Sequence, residues 1–183
     1  MVPVSTTPVA GTSSAAATLD ADSLLIAREL TPRTVEVWSS MLGLCLEEDA
    51  SPAASKGHRR WSGCIALSGE WRGAVTVSCV DPMARIITGA MFGMEPEAAS
   101  EAEIQDAIGE MANILGGQTK QVLGDKAILG LPVVIEGDNF EATVPHSHCV
   151  VKLQFRCEDH QVLVSVVGAN ARTAPRTTRP TES

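Results

Sequence analysis

One stretch of the chain combines a helix start signal with an ordered polar face: Ser100-Glu-Ala-Glu-Ile-Gln-Asp-Ala-Ile-Gly-Glu-Met-Ala-Asn-Ile-Leu-Gly-Gly117. Ser100 and Glu103 have the Ser-x-x-Glu spacing of a capping box, which predicts a helix from Glu101 to about Leu123. Successive helical residues are rotated by about 100°, so the stretch divides into two faces. The apolar face holds Ile104, Ile108, Met111 and Leu115; the opposite face, here called the polar strip, holds Asp106, Glu110, Asn113 and Gly117.

Composition limits the classes of function. The 183 residues are 44% hydrophobic, carry a formal charge of −8 and include no Tyr, 3 Trp and 3 Phe. Nucleic-acid binding is disfavoured, because it normally requires a basic field and aromatic side chains for stacking. No apolar run approaches the length of a membrane span, and the N-terminus lacks the features of a secretory signal, so we expect a cytoplasmic protein.

The five cysteines are odd in number and never form Cys-x-x-Cys. They mostly lie in apolar runs, which predicts reduced, buried core residues rather than disulfides or a zinc site. The sequence offers no set of metal ligands. It also lacks the phosphate-binding loop, nucleophile elbow and His-Glu-x-x-His motifs of common hydrolases.

The sequence predicts one domain, residues 21–168, between two tails. Residues 1–20 and 169–183 are rich in small, polar and proline residues without periodicity, so we expect both tails to be disordered.

Within the domain, helical and strand patterns follow in blocks. The predicted helices are Asp20–Leu30, Thr31–Leu42, Asp81 to about Gly93, and Glu101–Leu123. The predicted strands are Trp61–Glu70, Gly73–Val80, Val133–Glu136, Phe140–Val144, Cys149–Cys157 and Gln161–Val167. Thr31 and Asp81 are predicted N-caps, each followed by a proline, although the first two helices could also form one interrupted helix. Short connections favour an α+β domain with an antiparallel sheet and helices packed on one side.

The chemistry of the polar strip favours positioning over covalent catalysis. Asn113 cannot act as a strong acid or base, but its carboxamide donates and accepts hydrogen bonds and can hold a water in one orientation. Glu110, one turn earlier, can pair with a lysine of a partner and fix the docking register. Each mid-helix glycine costs about 1 kcal/mol relative to alanine. Gly109, Gly116 and Gly117 therefore indicate either close packing or a bare surface that admits a partner; an ordinary solvated helix face remains the simpler alternative.

The pattern Asp-x-x-x-Glu-x-x-Asn at Asp106, Glu110 and Asn113, followed by Gly117 and by Leu-Gly-Leu-Pro at 129–132, resembles the CheC/CheX group of chemotaxis phosphatases, and CheX in particular. The resemblance covers about residues 20–168. It implies an antiparallel sheet with helices, a homodimer, and the final strand Gln161–Val167 as an edge that the dimer could cover.

The resemblance also implies an activity: hydrolysis of the aspartyl phosphate of a CheY-like response regulator. Asn113 would orient the attacking water and Glu110 would engage the active-site lysine of the regulator, while Asp106 and Gly117 would contact the partner. The protein would need no cofactor of its own, because the regulator would supply Mg²⁺. The alternative is a non-catalytic adaptor that binds a response regulator or a flagellar-switch-like partner through the same face.

Overall fold

The structure is a computed structural model that describes residues 21–51, 59–124, 127–138 and 147–169. The described residues form three α-helices: α1 (Ala21–Val37), α2 (Asp81–Phe92) and α3 (Glu101–Leu123). They also form six strands: β1 (Glu47–Glu48), β2 (Arg59–Gly69), β3 (Gly73–Val80), β4 (Ala127–Asp138), β5 (Ser147–Cys157) and β6 (His160–Ala169). A π-helical turn, Trp38–Leu42, continues α1, and a 3₁₀ turn, Pro96–Ala98, precedes α3.

The strands form one antiparallel sheet in the order β1-β5-β6-β3-β2-β4. Hairpins join β2 to β3 and β5 to β6, whereas β4 returns along the outside of β2. One edge is therefore the two-residue β1 and the other is the twelve-residue β4. The predicted α+β class with an antiparallel sheet is confirmed.

The core lies between one face of the sheet and a layer of helices. Alternate residues of β2, β3 and β6 are buried, as the period of two requires when one face packs on a core. Helix α3 contacts β2, β3 and β4, while α1 contacts β5, and both α1 and α2 contact α3. The helices thus cover the same side of the sheet, as the sequence predicted.

Helix α3 packs on the sheet through its apolar face, and a glycine of β2 makes room for it. The predicted start at Glu101 and the capping box of Ser100 and Glu103 are confirmed. The four apolar residues of the predicted inner face, Ile104, Ile108, Met111 and Leu115, are at most 1% exposed. A Cβ atom at Gly63 of β2 would lie 2.6 Å from the carbonyl oxygen of Ile108 and 2.9 Å from the Cβ of Ala112. Gly63 therefore allows the helix to approach the strand closely.

Two predicted helix starts are wrong in detail. Thr31 does not cap a second helix, because α1 continues through Pro32 to Val37; the single interrupted helix was the correct alternative. The buried hydroxyl of Thr34, two residues after Pro32, donates a hydrogen bond to the carbonyl oxygen of Leu30 at 2.8 Å. Asp81 lies in the first turn of α2 instead of capping it, because its carboxylate accepts hydrogen bonds from Trp61 and Arg85.

The strands after α3 differ more from the predictions. The predicted strand Val133–Glu136 extends over all of β4, including Pro132; a proline is tolerated there because an edge strand needs pairing on one side only. The predicted final strand, Gln161–Val167, is not an edge: β6 lies between β5 and β3. Phe140–Val144 lies outside the described residues, as do the predicted tails apart from Ala169, which ends β6.

The cysteines do not all follow the expected burial. Cys79 and Cys157 are buried, Cys64 is half-buried, and Cys45 and Cys149 are exposed, all as free thiols. Burial raises the pKa of the Cys79 thiol to about 12. In the described part of the chain, no helix combines the length and hydrophobicity required to span a membrane.

Candidate functional site

The polar strip lies on the outer face of α3, away from the sheet. Asp106 and Glu110 are exposed, and Asn113 and Gly117 are half-buried. With a rise of 1.5 Å per residue, the strip runs for about 16 Å along the helix, and Glu110 and Asn113 stand about 4.5 Å apart along its axis. All four predicted site residues therefore belong to one continuous surface on a single rigid element.

Within the described part of the chain, the side chains of Asp106, Glu110 and Asn113 make no hydrogen bond or ion pair. Two other carboxylates of the same helix are engaged. Glu101 accepts a hydrogen bond from Arg59 at 2.8 Å, and Glu103 accepts one from the backbone N–H of Ser100 at 2.8 Å. The carboxylates of Asp106 and Glu110 and the carboxamide of Asn113 are thus left available to another molecule.

The three glycines of α3 have different surroundings. A Cβ at Gly116 would lie 2.6 Å from Cγ2 of Ile65 and 3.0 Å from Cδ2 of Leu129, so Gly116 is required by close packing. A Cβ at Gly109 would make an ordinary contact, 3.5 Å from Cγ2 of Val134. At Gly117 a Cβ would meet nothing within 4 Å. Close packing explains why residue 116 is a glycine. Of the three glycines, Gly117 is the one that leaves bare backbone on the outer surface of α3.

Strand β4 lies at one edge of the described sheet and contacts α3 through Val134, next to Gly109, and Leu129, next to Gly116. Its register with β2 shifts: Ile65 pairs with Pro132 and Leu67 with Leu129, so Gly130 and Leu131 together stand opposite one residue. This arrangement is a β-bulge. Leu131, within the Leu-Gly-Leu-Pro block of the sequence, is 86% exposed. Sequence reasoning marked the block but not the exposed leucine, for which the only signal was an apolar residue between a glycine and a proline.

A second polar cluster lies near the N-terminus of α3. Arg59 donates to both Glu101 and Glu136, and its guanidinium stacks over the ring of Trp61, 5.1 Å from the centroid. The hydrogen bonds to Glu101 and then to Glu136 raise the pKa of Arg59. An open groove of about 480 Å³ adjoins the cluster, lined by Trp61, Glu101, Ala102, Gln105, Val134 and Glu136. Because its charges are already paired, the cluster fixes β4 against α3.

The carboxylate of Asp81, like that of Glu101, is paired within the protein. Partial burial alone would raise the pKa of its carboxyl group, but the hydrogen bonds from the Trp61 indole and the Arg85 guanidinium hold that pKa below its usual range. Arg85 also donates to the carbonyl oxygen of Ala99 at 2.8 Å, just before α3. Among the described residues, no group of three or more His, Cys, Asp or Glu side chains is arranged to hold a metal ion.

Solved structures show that this fold has relatives. A chemotaxis protein CheX from Desulfovibrio desulfuricans matches with a TM-score of 0.64 and 22% identity, over 78% of this chain and 98% of that one. The Borrelia burgdorferi structure of a CheX-CheY-BeF3-Mg complex matches with a TM-score of 0.60 and 16% identity, over 79% and 98% of the two chains. The FliM middle domain from H. pylori matches at 0.55 and 10%, over 82% and 92%.

The sequence comparisons give one family. No curated protein sequence matches the chain significantly. The family described as "Chemotaxis phosphatase CheX" matches residues 61–156, which is just over half of the chain and includes the whole polar strip. This match confirms the resemblance inferred from the sequence pattern: the chain belongs to the CheX family of chemotaxis phosphatases.

Proposed function

We propose that this protein hydrolyses the aspartyl phosphate of a CheY-like response regulator, using Asn113 and Glu110 on the outer face of α3. The observation that carries the proposal is the polar strip itself, where a carboxamide and a carboxylate stand one turn apart without partners in the described part of the chain. Membership of the CheX family supports the reaction class, and the similar Borrelia structure is a complex of CheX with CheY.

Asn113 acts by positioning water. Its carboxamide oxygen accepts a hydrogen bond from the water while its NH₂ group donates to a phosphoryl oxygen, so one side chain fixes both groups. Phosphoryl transfer depends mainly on such alignment and on charge stabilisation. The rigid helix, fixed at its start by Ser100 and packed on the sheet through Gly116, presents the carboxamide in a defined direction.

Glu110 sets the docking register. Its exposed carboxylate is free to meet the ammonium group of a lysine in the regulator, one helical turn from Asn113. Asp106 adds a second carboxylate at one end of the contact, and the open space above Gly117 allows the partner to approach the backbone at the other end. The strip thus brings two carboxylates, a carboxamide and a bare backbone segment to one face of the helix.

The regulator supplies the remaining groups. The water oxygen attacks phosphorus, the bond between phosphorus and the aspartyl oxygen breaks, and the regulator regains its carboxylate as inorganic phosphate leaves. The Mg²⁺ that neutralises the phosphoryl oxygens is held by the regulator, since this chain contributes positioning groups rather than metal ligands. Half of the active site then lies on the partner, and this protein has no cofactor of its own.

The alternative is a non-catalytic adaptor that binds the same kind of partner through α3. The observation that favours it is the similarity of the fold to a FliM middle domain, at a TM-score of 0.55. An adaptor needs the exposed carboxylates for binding but does not need a carboxamide at Asn113. Substitution of Asn113 therefore separates the two functions.

The experiment uses a receiver domain from the same organism, phosphorylated with acetyl phosphate in the presence of Mg²⁺. We expect the wild-type protein to accelerate phosphate release, and Asn113→Ala to reduce that acceleration by about 100-fold or more while binding is retained. Gln121→Ala is the matched control, because it removes from the same helix an exposed carboxamide that accepts a hydrogen bond from Arg33. Full activity of Asn113→Ala contradicts the mechanism; binding without accelerated hydrolysis in the wild type supports the adaptor.

We further propose that the protein is a homodimer that pairs through β4, not through β6. This strand is a free edge of the described sheet, and Ile128, Val133 and Ile135 on its face away from α3 are 62%, 59% and 41% exposed. A long, exposed apolar edge is a template for a second copy. Sedimentation equilibrium should give a dimer mass for the wild type and a monomer mass for Val133→Lys; a monomeric wild type excludes this assembly.

A further inference from the structure

The outer face of α3 carries acidic groups towards one end and a lysine at the other. Beyond the polar strip of Asp106, Glu110, Asn113 and Gly117, the same face continues to Lys120, the basic residue in the last turn of the helix. Lys120 follows Asn113 by seven residues, so the two positions differ by a rotation of only about 20° and by about 10 Å along the axis. The two carboxylates and the lysine therefore lie on opposite sides of the carboxamide along the helix.

Lys120 has no partner in the part of the chain that the structure describes. Its half-buried side chain makes no hydrogen bond or ion pair there. The residues three and four positions away along the chain are Gly116, Gly117, Leu123 and Gly124. None of these residues is acidic, so no carboxylate stands at the spacing of an ion pair within the helix. The helix dipole favours a cation in the last turn, but it does not require that cation to lie on the face of Asn113.

A second positive charge lies beside the same end of α3. The guanidinium of Arg33, on α1, donates to the carboxamide oxygens of Gln118 at 3.4 Å and of Gln121 at 2.9 Å. Among the described residues, Arg33 forms no ion pair with a carboxylate, so its charge is not balanced. Because both carboxamides are neutral, this charge does not depend on Gln121. The end of α3 near Lys120 is therefore positive, in contrast to the acidic part of the polar strip.

We propose that Lys120 contacts a carboxylate on the surface of the response regulator and thereby fixes the direction in which the regulator lies along α3. This inference rests on the proposed function, because the regulator must cover the polar strip for its surface to reach Lys120. A standard interface buries about 800 Å² on each partner, which corresponds to a patch with a radius of about 16 Å. A patch centred on Asn113 includes Lys120, about 10 Å away along the axis. The regulator is thus expected to carry an acidic side chain about 10 Å from the pocket that receives Asn113.

The order of the charges explains why a second contact is needed. One ion pair at Glu110 leaves the regulator able to turn about that contact, whereas Asn113 acts on the phosphoryl group only in one geometry. A regulator turned end for end would place its lysine towards Lys120 and its carboxylate towards Glu110. Like charges that face each other across an interface are unfavourable, so the reversed arrangement is rejected. An exposed ion pair adds little affinity, and Lys120 therefore acts mainly on orientation and on the association rate.

The test reverses the charge of Lys120. Association is followed by stopped flow with a receiver domain held in its active state by beryllofluoride and Mg²⁺, and turnover is measured with the same receiver phosphorylated by acetyl phosphate. For Lys120→Glu we expect the association rate to fall, and Kd and KM to rise, by about tenfold with kcat unchanged. Because salt screens exposed charges, the difference from the wild type should shrink to about twofold when the salt is raised from about 50 mM to about 500 mM.

Two variants control for the change of charge. Lys120→Arg keeps the cation and should behave like the wild type. Lys152→Glu makes the same change in net charge at an exposed lysine of β5; its neighbour Val151 and also Phe155 are buried under the helices, so Lys152 lies on the opposite face of the sheet. Kd should change by less than about twofold in Lys152→Glu. Each acidic residue on the receiver surface is then replaced by lysine, and one replacement should weaken binding to the wild type but restore binding to Lys120→Glu.

The outcomes separate this inference from the proposed function. Unchanged Kd and KM in Lys120→Glu overturn the role of the lysine while leaving the phosphatase intact. An equal loss of binding in Lys152→Glu also overturns it, because net charge alone then explains the effect. A lower urea midpoint in Lys120→Glu with an unchanged Kd shows that the lysine serves only the helix dipole, and the inference is wrong. If the wild type binds the receiver without hydrolysing its phosphate, the proposed function fails, and a loss of binding confined to Lys120→Glu still supports the contact.

Discussion

Two adjacent glycines of α3 should respond in opposite ways to the same substitution. Gly117→Ala adds a methyl group where nothing lies within 4 Å, whereas Gly116→Ala adds one 2.6 Å from Cγ2 of Ile65 and 3.0 Å from Cδ2 of Leu129. Both substitutions remove the same conformational freedom from the unfolded chain, because both residues lie inside the helix. Any difference between the two variants therefore reports the packing of α3 on the sheet.

The magnitudes follow from helix propensity and overpacking. Alanine in place of a mid-helix glycine is favourable by about 1 kcal/mol, so Gly117→Ala should raise the free energy of unfolding by about that amount. At Gly116 the same gain is opposed by an overlap of about 1 Å with Ile65, whose branched side chain is stiff and fully buried. Overpacking of this kind costs about 1–3 kcal/mol. The two variants should then differ by about 1–3 kcal/mol, with Gly116→Ala the less stable.

The assay is urea denaturation followed by far-ultraviolet circular dichroism, together with thermal melts. A difference of 1 kcal/mol corresponds to about 2–4 °C in Tm for a domain of this size. In the phosphatase assay, Gly117→Ala should be impaired although it is the more stable protein, because its new methyl group occupies the surface that the regulator approaches. Equal stabilisation by both substitutions refutes the packing of Gly116 against Ile65, and a fully active Gly117→Ala refutes the need for bare backbone.

Two further predictions concern the ends of elements. The hydroxyl and backbone N–H of Ser51, with smaller contributions from Gln161 and Arg156, lower the pKa of Asp49 to about 2. A lowered pKa stabilises the fold above the ordinary value of 3.8, and this stabilisation is lost as the pH falls towards 2. The urea midpoint of Asp49→Asn should therefore depend less on pH between about 4 and 2 than that of the wild type; parallel curves contradict this role. Ser100→Ala removes the N-cap of α3 and should lower the free energy of unfolding by about 1 kcal/mol, whereas a stability equal to the wild type in urea would show that the cap is dispensable.

Helix α3 could be predicted almost to the residue because its signals are local. The capping box at Ser100 fixes the start, the apolar residues recur with the helical period, and both features depend only on residues a few positions apart. The hairpin of β2 and β3 was equally accessible, since its turn and alternation lie within one short segment. Local chemistry of this kind needs no knowledge of the rest of the fold.

Strand β4 was only partly predictable because its length is decided by a partner distant in the sequence. Ala127–Gly130 has too little alternation to mark a strand, and Pro132 normally interrupts one. Pairing with β2 overrides both signals, and the bulge opposite Ala66 absorbs the mismatch. The position of β6 inside the sheet is likewise set by pairing with β3, which lies far earlier in the chain and which no short-range pattern encodes. The edge of the sheet was therefore assigned to the wrong strand.

The same distinction applies to the site. The sequence of α3 shows Glu101, Glu103, Asp106 and Glu110 as similar acidic residues within three turns. Folding divides them: Glu103 is bound by its own N-cap, and Glu101 by Arg59, which lies 42 residues away. Only the periodicity of the helix identified Asp106 and Glu110 as a common face with Asn113; their lack of partners in the described residues required the fold. A carboxylate that the protein itself does not use remains available to a partner, and the two that remain lie on the same face of α3 as Asn113.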